Sequence, residues 1–186
     1  DAFKIRLFSS VFLYKETDFD DFYAIRLSGT SGTYDYKFEH VFLGRYEEIT
    51  DPNRQVLLSQ QFVERDGGFA SNVPFAHSNK WLVSVGLTLR VPKTPLYLYA
   101  NAGTYAGAGD ETWMLTEENT ITAEQFPFET GVMAGLGSFI RVYFPVVSSH
   151  DITEAGKALT DHYWQTIRYS IDLNAINPFK LKNRMF

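Results

Sequence analysis

The chain has 186 residues, 22 acidic and 17 basic side chains, a formal net charge of −5, no cysteine and 16% aromatic residues. The charge is too mild, and no basic cluster is present, for a nucleic-acid partner; the missing cysteine excludes a disulfide scaffold, a thiolate metal site and a thiol nucleophile. No run approaches the roughly 18 apolar residues of a transmembrane helix, but barrel strands of about 9–11 alternating residues would pass the same test, so a mean hydropathy of −0.19 is compatible with lipid contact.

Residues 2–14 place Phe3, Ile5, Leu7, Val11 and Leu13 on one face and Lys4 and Arg6 on the other. That is the period of two of a pleated strand. The spacing predicts further strands over 22–29 and 33–46; in the second, Tyr34, Tyr36, Phe38 and Phe42 oppose Asp35, Lys37 and Glu39. A long stretch, 47–80, follows, in which only 55–65 alternates, and weakly. Residues 81–91 alternate cleanly: Trp81, Val83, Val85, Leu87, Leu89 and Val91 against Leu82, Ser84, Gly86, Thr88 and Arg90. Strands are predicted over 95–105, 128–137 and 139–147. A short helix-like stretch, 153–161, precedes a last strand over 162–173, with Tyr163, Gln165, Ile167, Tyr169, Ile171 and Leu173 on one face.

The connections alternate between long and short, with tight turns at 30–32, 92–95 and 137–138. That alternation puts the long loops at one end, as in outer-membrane barrels. The sequence therefore predicts an all-β fold: an antiparallel up-and-down transmembrane β-barrel with about eight strands in this chain. One barrel domain would span 1–186, read as the C-terminal part of a longer protein whose upstream strands would enlarge the barrel. The face opposite the apolar stripe is rich in small residues (Ser84, Gly86, Thr88, Asn101, Gly103, Gly131, Gly135), which suits a narrow interior. Lys4, Arg6, Arg26, Glu39, Arg90, Glu129, Arg168 and Asp172 carry the mixed signs a closed interior needs. Tyr105, Phe128, Tyr143 and Tyr163, among other aromatics, fall toward strand ends and are expected at the headgroup level. The expected lipid-facing residues are Trp81, Val83, Val85, Leu87, Leu89, Val91 and Ile167. Pro145 cannot donate to a ladder and is expected at a strand end or bulge. A water-filled channel and a soluble lipocalin-like ligand-binding barrel are the competing readings.

No catalytic chemistry emerges. His40, His77, His150 and His162 lie in no zinc spacing, and there is no nucleophile elbow, phosphate loop or dinucleotide fingerprint. The glycines of Asn101 to Gly109 lack the lysine and helix of a phosphate site. No cofactor, metal or catalytic residue is expected.

Seven phrases carry a resemblance: FEHVFLGRYEE (Phe38 to Glu48), LLSQQFVERDGGF (Leu57 to Phe69), WLVSVGLTLRVP (Trp81 to Pro92), PLYLYANAGTY (Pro95 to Tyr105), FETGVMAGLG (Phe128 to Gly137), IRVYFPVVSSHDI (Ile140 to Ile152) and IRYSIDLNAINPF (Ile167 to Phe179). Together they resemble the C-terminal membrane region of large gluzincin (aminopeptidase-N type) zinc peptidases of Gram-negative bacteria. The resemblance implies an outer-membrane barrel, both termini periplasmic, that anchors or presents a peptidase domain. That family's H-E-x-x-H motif is absent here, so no catalytic residue carries over. The implied partners are outer-membrane lipid, the barrel insertion machinery and envelope proteins met through the long loops. Tyr169, Ile171 and Leu173 match a barrel's closing-strand signal for assembly.

Overall fold

The structure, a computed structural model, describes residues 2–13, 24–32, 34–35, 38–43, 60–73, 75–108, 112–114, 120–136, 139–160 and 162–172. Its strands in chain order are β1 (Phe3–Val11), β2 (Ile25–Arg26), β3 (Thr30–Ser31), β4 (Phe62–Val63), β5 (His77–Ser78), β6 (Trp81–Arg90), β7 (Leu96–Tyr105), β8 (Thr112–Met114), β9 (Thr120–Thr122), β10 (Phe128–Leu136), β11 (Ile140–Ser148) and β12 (Arg168–Ile171). One α-helix, α1 (His150–Leu159), and a 3₁₀ turn (Tyr163–Thr166) lie between β11 and β12.

Six strands form one antiparallel sheet in the order β1-β6-β7-β10-β11-β12, a meander in which each strand pairs with the next along the sheet. The sheet is curled into a half-barrel. β6–β7 and β10–β11 are joined by short turns, and the other three links are long, so the long links share one end. In the β6–β7 turn Lys93 takes a left-handed backbone (φ 62°) between two prolines, and the Val91 N–H donates to Leu96 O at 2.9 Å. Pro145 sits where the β10–β11 register shifts by one residue, a bulge that tolerates its missing donor.

Among the described residues the sheet holds six strands, against the about eight that the alternation predicts. Of the described residues of 22–29 only Ile25 and Arg26 are strand, paired with β5 rather than with a strand of the large sheet. The described residues of 33–46 hold no strand. Phe38 is left-handed (φ 54°), and the Asp35 carboxyl accepts the Glu39 and His40 N–H groups at 3.1 Å each, a local turn that displaces the ladder. In 162–173 the strand begins only at Arg168. The Gln165 side chain accepts the His162 N–H at 3.0 Å and Thr166 Oγ1 donates to Tyr163 O at 2.7 Å, and these local bonds wind Tyr163–Thr166 into a 3₁₀ turn. The helix starts three residues before its predicted position. Asp151 in its first turn accepts the Ile152 and Glu124 N–H groups at 2.8 and 3.0 Å, which fixes the helix against the core.

Candidate lipid-facing surface

The ladder register decides which side chains share a face. Phe3, Leu89, Leu98, Val132 and Phe144 are successive cross-strand partners, one apolar row over five strands. The next rows are Ile5–Leu87–Ala100–Thr130–Val147 and Leu7–Val85–Ala102–Phe128. At the far side Val142 meets Tyr169 and Ile140 meets Ile171. All these side chains lie on the convex face. There Trp81, Val83, Val85, Leu87 and Leu89 are 41%, 45%, 37%, 39% and 48% exposed, while Leu82, Ser84 and Gly86 between them are buried. A soluble monomer rarely leaves so many large apolar side chains contiguous and uncovered.

The other predicted residues divide. Val91 lies past the end of β6, in the turn, and Ile167 lies before β12; both are half-buried. Tyr169 and Ile171 are half-buried in β12, and Leu173 lies outside the described residues. Phe128 and Tyr163 are exposed near strand ends, but Tyr105 and Tyr143 point to the concave face and are buried.

The concave face is covered by an inner layer made of residues 24–31 and 60–78, Pro74 excepted. This layer is stitched by backbone bonds, among them Leu27 N–H to Ala76 O and Phe69 N–H to Leu27 O, both 2.9 Å. Leu27, Phe69, Val73, Phe75, Leu82 and Tyr105 anchor one apolar cluster under it. Phe62, Ala70, Tyr99, Met133 and Tyr143 form a second, with Phe62 and Tyr99 each edge-on to Tyr143 at 5.0 and 5.5 Å. The small residues predicted for an interior are what admit the layer. A Cβ on Gly103 would come within 2.5 Å of the Leu27 side chain, and Ser84 Oγ donates to Gly67 O at 2.9 Å.

Two buried charged side chains grip the layer. The Glu129 carboxyl, fully buried, accepts the Ala70 N–H at 2.5 Å, the Ser71 N–H at 2.8 Å and Asn101 Nδ2 at 2.7 Å. Arg168, from the other end of the sheet, donates Nη1 to Ala70 O at 3.2 Å and stacks over the Phe62 ring at 4.7 Å. The Ala70–Ser71 peptide is thus held at its acceptor by Arg168 and at its donor by Glu129.

A strap, Gln60 to Asp66, links the two edges of the sheet. On the β12 side the Tyr169 N–H donates to Gln60 O at 3.0 Å, and Gln60 Nε2 donates to Trp164 O and Gln165 O at 2.9 and 2.7 Å. Glu64 then pairs with Arg141 of β11 at 3.4 Å and Lys4 of β1 at 3.3 Å, and Arg6 Nη2 donates to Asp66 O. Burial pushes the Asp66 carboxyl above the usual carboxylate range, against the opposing pull of the Arg26 N–H and of the Arg65, Arg6 and Arg26 charges. Of the charges predicted to pair across a lumen, Lys4, Arg6, Glu129 and Arg168 hold the inner layer. Sequence reasoning missed that layer, whose one available signal is the run of glycine and apolar residues over 66–76.

Among the described residues no three His, Cys, Asp or Glu side chains group as a metal site. Among the described residues no helix is long and apolar enough to cross a membrane, which says nothing of β-strands. No family model, curated protein or solved structure matches this chain.

Proposed function

We propose that the six-stranded sheet is membrane wall: part of an outer-membrane β-barrel that anchors its protein in the envelope. The observation that carries this reading is the contrast across one sheet. The convex face exposes rows of Leu, Val, Ile and Phe, whereas on the concave face Glu129, Ser84 and Arg168 bond to the inner layer. Strand length fits as well. The five long strands have 9, 10, 10, 9 and 9 residues, within the range of about 9–11 for tilted spanning strands. At about 3.4 Å per residue and a tilt near 45°, such a strand covers about 22–24 Å, close to the apolar band of about 25 Å.

The short-turn end, where β1 begins and β12 ends, faces the periplasm in this reading, and the long links face outward. The occupied concave face supports an anchor over a solute channel. The resemblance of those phrases to gluzincin membrane regions extends the proposal to presenting a peptidase or another envelope partner. The test is a charge on the convex face. Val85→Lys is expected to lower folding stability in bilayers by roughly 2–4 kcal/mol, whereas a water-exposed site would change by about 0.5 kcal/mol or less. Urea titration of the protein in lipid vesicles measures it, and a change within the smaller range would defeat the proposal.

A further inference from the structure

An apolar surface also lies outside the large sheet. Phe38, Val41 and Leu43 are 74%, 64% and 56% exposed, on a stretch that is neither helix nor strand. Its place follows from the strap. Gln61 forms a bridge with Tyr169 of β12, and residues directly opposite one another share a face. Tyr169 belongs to the convex face, so Gln61 does too. Phe62, the next residue, turns the other way and meets Tyr143 and Arg168 on the concave side. Gln61 is nevertheless buried, and its amide is taken up by the 38–43 stretch. Gln61 Nε2 donates to Val41 O at 3.0 Å, and the Leu43 N–H donates to Gln61 Oε1 at 2.7 Å. The stretch therefore lies past β12 on the convex side, where the apolar band continues from Tyr169 and Ile171.

Height and chemistry match this stretch to the boundary zone of a bilayer. Tyr169 pairs with Val142, two residues from the Ile140–Ile171 pair at the short-turn end of the sheet, or about 7 Å along the strand. Beside the exposed apolar side chains, Glu39 pairs with Arg65 at 2.6 Å, and both are about half exposed. An apolar side next to a charged one is the pattern of an element lying in the headgroup and acyl boundary. Irregular backbone is excluded from lipid unless its polar groups are engaged. Here two side chains engage them. The Asp35 carboxyl accepts the Glu39 and His40 N–H groups, and Gln61 takes Val41 O and the Leu43 N–H. The Phe38 N–H donates to Asp35 O at 3.0 Å.

We propose that Phe38, Val41 and Leu43 form an interfacial foot. They insert among acyl chains of the leaflet at the short-turn end, and Gln61 holds them there in place of a neighbouring strand. The inference rests on the membrane reading above and adds a lipid contact that no strand of the sheet makes. Lipid is the occupant because the stretch continues the band of Tyr169 and Ile171. A soluble protein seated on Phe38 would have to share its footprint with the bilayer surface.

The experiment uses the full-length protein in vesicles of phosphatidylethanolamine and phosphatidylglycerol. Single nitroxide labels are placed through Val41→Cys and Leu43→Cys, with Val85→Cys as the reference on β6. Molecular oxygen, which concentrates among acyl chains, and a water-soluble nickel chelate then compete to relax each label. Oxygen is expected to relax positions 41 and 43 more strongly than nickel does, as at 85. Nickel dominating at 41 and 43 while oxygen dominates at 85 overturns the proposal, because the stretch is then in water. Access of neither reagent to 41 and 43 also overturns it, because protein then covers them. Nickel dominating at 85 as well sinks the membrane reading itself, so the two failures are distinguishable. Gln61→Leu, which removes both amide bonds, is expected to raise nickel relaxation at 43 several-fold and to leave 85 unchanged. An unchanged position 43 in that variant would remove Gln61 from the account.

Discussion

The two faces of one sheet solve opposite problems. On the concave side named contacts set the fit: Glu129 and Arg168 hold the Ala70–Ser71 peptide, Ser84 holds Gly67, and Gly103 makes room for Leu27. On the convex side the apolar residues are exposed, and among the described residues nothing covers them. The concave face specifies a partner by hydrogen-bond geometry, as a protein core does. The convex face specifies only that its surroundings be apolar. A sheet with a built interior on one side and an unspecific apolar surface on the other matches a wall between protein and lipid.

The sharpest way to break the concave side is Glu129→Ala. It leaves the Ala70 and Ser71 N–H groups and the Asn101 amide without their acceptor in a buried site, and it leaves Arg168 without the opposite charge on the shared peptide. The expected loss is roughly 3–5 kcal/mol, seen as a lower urea midpoint in detergent micelles. Glu129→Gln keeps one oxygen acceptor and should lose about half as much. Equal stability of all three forms would show that the inner layer does not depend on this grip.

A smaller effect sharpens the account of the strap. Asp66 has a carboxyl whose folded pKa is raised by burial. A raised value means that the folded state favours the neutral acid. Its contribution to stability is full below the unfolded carboxylate pKa of about 4 and is lost as pH rises through the folded value. Asp66→Asn stays neutral and, like Asp, accepts the left-handed backbone found there (φ 46°). The variant should match wild type near pH 4 and gain on it as pH rises, by less than about 1 kcal/mol after solvent screening. Thermal melts across that interval read the difference, and a gain that shrinks with rising pH would contradict the sign.

The antiparallel sheet was largely legible in the sequence, because the unlike faces of Trp81–Arg90 give a strict period of two and the register carries it to the neighbouring strands. The inner layer was not. Leu27, Phe69 and Phe75 are as apolar as any wall residue, but they are buried by contacts with distant residues that leave no periodic trace. β7 shows the same limit. Leu96 and Leu98 look outward while Tyr97, Tyr99 and Tyr105 look inward. With apolar residues on both faces, alternation cannot assign Tyr105 to the headgroups or to the core. The last strand was over-extended because Gln165 and Thr166 bond locally, and such side-chain-to-backbone bonds compete with a ladder wherever the geometry allows.

The central claim is that the convex face meets acyl chains, and the chain's lack of cysteine makes it directly testable. Single cysteines at Val85, Leu87 and Lys93 can be challenged in intact membranes with a water-soluble maleimide. The account predicts that the turn position 93 reacts at once, while 85 and 87 stay unlabelled until the protein is denatured outside the bilayer. Labelling of 85 and 87 at the rate of 93 in intact membranes would contradict it.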